Sequence, residues 1–213
     1  METPRGSSPQ LANHAASVPS PRPLPELRAC PLTLRLGRSE DIGGIIAFYK
    51  HNCEYLGRYS PTVDPKLFTA EFWQHRLEEM HSHFHADRAC NFFLLDSQQQ
   101  IVGYLNFFNA VRGSFHCCTL GYGLAESLQG RGLMTHGVRV AIQYAFGPLN
   151  FHRVEANYHP QNERSARLLK RLGFIEEGIA QNYLYINKAW QPHMRTSLTN
   201  ANWQPVQPSS HFA

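Results

Sequence analysis

Gln129-Gly130-Arg131-Gly132-Leu133-Met134 joins an apolar stretch to a helical pattern. The two glycines let the backbone turn sharply and leave peptide N–H groups uncovered by side chains. At the start of a helix, such groups and the positive end of the helix dipole form an anion site suited to a pyrophosphate. No Gly-Lys-Ser/Thr follows, so this is not a P-loop. The spacing also differs from the Gly-x-Gly-x-x-Gly of a dinucleotide fingerprint. A glycine turn before a helix is commonly only a turn, and the run gains weight from a second stretch further on. That stretch reads Asn162-Glu163-Arg164-Ser165-Ala166-Arg167-Leu168-Leu169-Lys170-Arg171-Leu172-Gly173-Phe174.

Working outward, Met134, Val138, Ala141, Ile142 and Ala145 fall on one helical face, and Gly147-Pro148 ends that helix. Upstream, Phe115–Leu124 reads as a strand feeding the glycine turn. Asn91–Asp96 and Ile101–Asn109 read as a hairpin joined by polar residues 97–100. Leu32–Leu36 alternates as a strand, and Ser39 is a candidate N-cap for a helix reaching about Tyr55. A second helix is expected from Phe68 to about Met80, burying Phe68, Phe72, Leu77 and Met80. Downstream, His152–Asn157 alternates, with Val154 and Ala156 on one side and Arg153, Glu155 and Asn157 on the other. Pro160 and the N-cap Asn162 open the next helix, and Gly173 closes it. Phe174, Tyr183–Ile186 and Met194–Leu198 read as closing strands.

The chain has 213 residues, with 42% hydrophobic and 17% charged, a globular rather than disordered balance. Residues 1–29, rich in proline, are expected to form a flexible tail, residues 30–205 one domain, and residues 206–213 a C-terminal tail. No stretch has the apolar length of a membrane span, and the N-terminal region lacks an apolar signal-peptide core. Five cysteines without metal-type spacing fit reduced thiols. These features together lead to an expected cytoplasmic location. The formal charge of +4 is dispersed, with Arg164, Arg167, Lys170 and Arg171 on one helix. That disfavours a nucleic-acid tract and suits a solvated face or attraction of a polyanion. His81, His83 and His85 would not share one helical face, and no cysteine or carboxylate completes a metal set.

The glycine run and the Asn162–Phe174 stretch resemble the GNAT acetyltransferases. Their acetyl-CoA site uses Gln/Arg-x-x-Gly-x-Gly/Ala and then a helix ending in Leu-Gly-Phe. Gln129 and Gly132 match, and Met134 stands at the last small position. Val111–His116, His152-Arg153, Ala156–Tyr158 and Asn202–Pro205 resemble a narrower group, the RimJ-type ribosomal-protein alanine N-acetyltransferases. The resemblance spans roughly residues 31 to 205. It implies an α/β fold with a mixed, mostly antiparallel twisted sheet, flanking helices, and a splay between the fourth and fifth strands.

The resemblance further implies acetyl-CoA as cosubstrate and no metal. Leu120, Tyr122 and Leu124 would offer backbone contacts to pantetheine. Gln129, Gly130, Arg131, Gly132, Leu133, Met134 and Thr135 would hold pyrophosphate, with Asn157, Asn162 and Ser165 completing the set. Gly121 and Gly123 have a second reading as relief of crowding in a strand. Many GNAT enzymes carry a tyrosine acid where this chain has Leu169. Ser165 is therefore the candidate donor to the departing thiolate, although a helical serine also bonds its own backbone. The carboxylate used by RimL-type enzymes falls on Leu184, so the general base is left open between Glu155, placed first, and Glu126, with Tyr183 and His193 behind them. The implied acceptor is a protein N-terminus, an alanine of a small-subunit ribosomal protein, with association with the ribosome and no membrane partner. Acetylation of a small amine such as a polyamine or an aminoglycoside, and a non-catalytic CoA-binding ribosomal module, stay open beside it. The oligomeric state is not readable.

Overall fold

The structure is a computed structural model that describes residues 22–60 and 64–205. Eight strands form one sheet: β1 (Glu26–Ala29), β2 (Leu32–Leu36), β3 (Cys90–Leu95), β4 (Ile101–Val111), β5 (Cys117–Leu124), β6 (Arg153–Glu155), β7 (Ile175–Ile186) and β8 (Ala189–Thr199). Their order across the sheet is β1-β2-β3-β4-β5-β6-β8-β7. All neighbours are antiparallel except β5 and β6. Helices α1 (Ile42–Leu56), α2 (Ala70–His85), α3 (Leu133–Phe146) and α4 (Glu163–Arg171) flank the sheet. The parallel pair requires a crossover, and α3 provides it.

Two apolar layers cover the two faces. One joins Val138, Ala141 and Ala145 of α3 and Leu169 of α4 to Phe92, Leu94, Leu105 and Leu120. The other joins Ile45 and Phe48 of α1 and Trp73 and Leu77 of α2 to Phe93 and Leu95. Successive residues of β3 therefore enter opposite layers, and the strand is buried throughout. Each fully buried large side chain contributes about 1.5–3 kcal/mol relative to exposure. All five residues expected on the inner face of α3 are buried.

Four expectations are corrected. Glu26–Ala29 is not tail but strand β1, paired with β2 from Glu26↔Arg35 to Ala29↔Leu32. Four residues bounded by prolines are too few to show a period. The rest of the expected tail, and the C-terminal tail from residue 206, lie outside the described residues. Ser39 does not cap α1; it opens a single 3-10 turn, Ser39–Asp41. Asp41 stands at the N-cap of α1, but its carboxylate closes the 3-10 turn instead, accepting from the Arg38 N–H and binding the buried Arg35 guanidinium through both oxygens at 2.6 and 2.8 Å. The second helix starts at Ala70, capped by Thr69, and runs to His85. Its buried stripe is Trp73, Leu77, Met80 and Phe84, which leaves Phe68 and Phe72 half-buried. A separate 3-10 turn, Pro65–Phe68, shifts the phase of the helix that follows.

The closing strands are one long hairpin, β7–β8, turning at Asn187 and Lys188 with φ of 52° and 63°. Two consecutive positive φ values define a turn whose twist matches the flanking strands. β7 is the sheet edge and is exposed along nearly its whole length, so no inward alternation marks it in the sequence.

The seam between β5 and β6 positions the site. The strands pair at Cys117↔Arg153, Cys118↔Val154 and Thr119↔Glu155, and no further. Beyond that point β5 stays with β4 as far as Gly103↔Leu124. The chain after β6 instead follows β8, through Ala156 N–H to Thr196 O and Tyr158 N–H to Met194 O. Two neighbouring strands thus part company, and the gap opens between Leu120–Leu124 and Ala156–His159.

Candidate active site

The gap is a cavity of about 800 Å³, bounded by β5, the glycine turn, the first turns of α3 and α4, the end of α1, and His193 of β8. At the glycine turn, Gly130 and Gly132 have φ of +76° and +75°, and a Cβ on either would meet nothing within 4 Å. Backbone conformation, not crowding, selects glycine at both positions. Gly132 is the N-cap of α3 and offers no side-chain cap, so the first-turn N–H groups face open space. Gln129 pins the turn by donating from Nε2 to the Leu124 carbonyl at 3.0 Å. Arg164, Arg167 and Arg171 of α4 also line the cavity. Uncovered amide donors with three guanidiniums nearby fit a pyrophosphate-bearing group.

Of the expected cofactor residues, Tyr122, Leu124, Gln129, Gly130, Gly132, Leu133, Met134, Thr135, Asn157, Asn162 and Ser165 line this space. Arg131 is exposed and does not. Leu120 also does not, because its side chain is buried in the core beside α3. Gly123 does relieve crowding, since a Cβ there would lie 2.7 Å from the Tyr104 ring.

Asn162 caps α4, with Oδ1 accepting from the Ser165 N–H at 3.2 Å. The Ser165 hydroxyl is bonded not to its own helix but to the Tyr122 hydroxyl, 2.8 Å away. Burial pushes the Tyr122 phenol up to about 12, against the opposing effect of the Ser165 contact, so it holds its proton at neutral pH. Leu169, meanwhile, is buried in the core. A phenol thus meets the α4 serine from β5, across the cavity. The sequence reading gave Tyr122 only a backbone role, because nothing in the residue order shows which helical side chain it meets.

Glu155, the first-placed base, does not line the cavity. Its carboxylate accepts from Arg153 Nε at 3.0 Å and, through both oxygens, from Arg195 at 3.2 and 3.1 Å. Arg153 continues to Glu177, which also accepts from Ser197. These charges lock the paired end of the seam, and the structure does not bring Glu155 together with the cavity residues as the sequence reading expected of a base. Glu126 does line the cavity, on the turn before the glycines, and its N–H donates to Asn52 Oδ1.

The wall opposite the glycine turn is built by Asn157, His159 and His193. Asn157 donates to the Tyr183 hydroxyl at 3.0 Å and accepts from the Thr196 N–H. His159 stacks on Tyr59 and meets His193 edge-on. His193 is only 2% exposed. Burial, with the neighbouring His159, holds its imidazole below the ordinary histidine range despite the contact with the Gln191 carbonyl.

Residues 31–175 match the acetyltransferase (GNAT) domain family. The chain is 40% identical over 176 residues to the [ribosomal protein uS5]-alanine N-acetyltransferase of Escherichia coli, covering 82% of this chain and 90% of that protein. It superposes on the ribosomal-protein-S5-alanine acetyltransferase of Vibrio fischeri with a TM-score of 0.80 at 35% identity, covering 86% of this chain and all of that one. The fold also matches Mycobacterium smegmatis RimJ in complex with CoA-disulfide, with a TM-score of 0.76 at 24% identity, over 84% of this chain and 88% of that one.

Proposed function

The chain belongs to the GNAT acetyltransferase family, and from that premise we propose that it acetylates the N-terminal α-amine of a protein, namely a ribosomal protein that begins with alanine. It is an acyltransferase that uses acetyl-CoA as cosubstrate. The observation that carries the choice of acceptor is the charge of the cavity wall. Opposite the glycine turn stand amides, phenols and imidazoles, while Arg58, Arg164, Arg167 and Arg171 outnumber the lining carboxylates Glu126 and Glu163. Glu163 is paired with Arg167 at 2.8 Å. A polyamine stays cationic at neutral pH, with an amine pKa near that of lysine, about 10.4, and needs carboxylates to hold it. A protein N-terminus has a pKa of about 8, so roughly a tenth is already neutral at pH 7 and can enter a wall without anions.

The geometry supports a division of labour. The amides at the start of α3 and the α4 arginines hold phosphate, while the β5 edge freed from β6 can hydrogen-bond the pantetheine arm as a neighbouring strand would. Leu120 takes part there through its backbone alone. As the amine nitrogen bonds to the thioester carbon and the C–S bond breaks, Ser165 gives its proton to the thiolate and is resupplied by the Tyr122 hydroxyl. The test is mass spectrometry of ribosomal proteins from a strain lacking this chain. One N-terminal alanine is expected to lose its acetyl group. An unchanged acetylation state across all ribosomal proteins would reject this acceptor.

A further inference from the structure

We propose that His193 is the catalytic base, its Nε2 taking the proton from the acceptor amine as the new C–N bond forms. The inference rests on the acetyl-transfer reading above but not on the choice of acceptor. Three observations carry it. His193 lines the cavity although it is almost wholly buried. Its Nδ1 lies 3.3 Å from the Gln191 carbonyl, an oxygen that can only accept, so Nδ1 carries the hydrogen. In the neutral ring Nε2 is then the free lone pair, and it has no partner among the described residues, nor is it a sealed orphan atom. The ring is held in place by Tyr183 and His159, with ring centroids at 5.6 and 6.1 Å.

The surrounding groups favour a neutral imidazole. His159 opposes a second positive charge, Tyr183 is bound to Asn157, and Arg195, two residues along β8, is committed to Glu155. No carboxylate is bonded to His193 among the described residues. Such a base matches an α-amine, whose proton is lost easily, better than the strongly basic amine of a polyamine. The balance closes: the amine proton goes to Nε2 and then to solvent. The thiolate takes its proton from Ser165, which regains one from the Tyr122 hydroxyl; Tyr122 regains one from solvent through the cavity, and the products are an amide and a free thiol.

The wild type is first assayed with a short peptide beginning with alanine and with spermidine, which by itself decides the acceptor. His193→Gln and His193→Ala are then measured on the faster substrate, with acetyl-CoA affinity by calorimetry as the check on folding. His193→Gln is expected to lower kcat about a hundredfold at pH 7 with acetyl-CoA affinity unchanged. Its kcat should climb with pH as the amine loses its proton unaided, whereas the wild type levels off earlier. Added imidazole should restore His193→Ala in proportion to the neutral imidazole present, which a merely space-filling role would not require. A kcat of His193→Gln within threefold of wild type from pH 6 to 9, or no response of His193→Ala to imidazole, would overturn the assignment.

Discussion

The two ends of the β5–β6 seam are built from the same pair of strands and differ in nearly every physical respect. At the paired end, Arg153, Glu155, Arg195 and Glu177 neutralise one another. There Trp203 also donates to the Asn150 carbonyl and packs on His116, and Arg112 clamps Asp87 while lying 3.9 Å over the Phe151 ring. At the open end the guanidiniums of α4 stand on the side of the glycine turn, while hydroxyls, an amide and imidazoles, namely Tyr122, Ser165, Asn157 and His193, form the rest of the wall. Paired charges close one end, whereas at the other the four hydroxyl, amide and imidazole side chains carry no ion pair among the described residues. A site that must accept a neutral amine and release a thiol needs groups that can gain or give a proton, and arginine-locked carboxylates do neither readily.

The open end can be broken most severely at its anion site. Gly132→Asp places a side chain where φ is +75° and a carboxylate beside the first amides of α3. With about 1–2 kcal/mol of left-handed strain and up to ~2 kcal/mol from a lost anion site, acetyl-CoA affinity by calorimetry should fall about a hundredfold or more. Gly132→Ala carries only the strain and should fall by much less. An equal loss in both variants would mean that backbone shape, not charge, governs binding.

A smaller effect is expected at the Tyr122–Ser165 pair. Ser165→Ala should lower kcat about tenfold and leave acetyl-CoA affinity unchanged, since the hydroxyl matters chiefly as the thiolate departs. Tyr122→Phe should act in the same direction, and the double variant should be little worse than Ser165→Ala alone. Fully additive losses would show that the two hydroxyls act separately.

The amphipathic face of α3 was legible because one helix buries one stripe, and all five of its predicted residues are buried. Asn162 and Gly173 could be placed because each satisfies a local need at a helix end; Gly173 has φ of +87°. β1 and most of β7 were not legible: one is too short for a period, and the other buries too little to impose one. The site divides in the same way. Glycines at 130 and 132 announce a backbone requirement, so the phosphate end could be read from residue order. Glu155 and Asn157 fall on the same side by alternation, and only the parting of the strands after Thr119↔Glu155 decides that Asn157 reaches the cavity while Glu155 is held behind it. The meeting of Tyr122 with Ser165, and of His193 with the cavity, depends on how distant elements pack, which no local pattern records.

The paired end should show itself in acid. Glu177 is held below the ordinary carboxylate range, first by the Arg153 hydrogen bonds and then by Ser197. A carboxylate lowered in the folded state stabilises above its unfolded pKa of about 4.3, and that contribution is lost as pH falls through the lower folded value. Glu177→Gln should therefore flatten the decline of thermal midpoint below about pH 4.5. Some slope will remain, because Asp41 is also lowered: burial raises it, and the hydrogen bonds from Arg35 and Arg38 outweigh that. An unchanged acid profile would show that the Arg153–Glu177 contact does not stabilise the seam.

The contrast between the two ends is tested most directly by Glu155→Gln, with thermal midpoint and kcat read on the same preparation. Its side chain is 12% exposed and bound by two guanidiniums, so its loss should cost about 3 kcal/mol and lower the midpoint by roughly 6–12 °C. The kcat of the folded enzyme should stay within about threefold of wild type, far short of the hundredfold or more expected on losing a general base. A kcat lowered a hundredfold with the midpoint unmoved would contradict the account and return the role of base to Glu155.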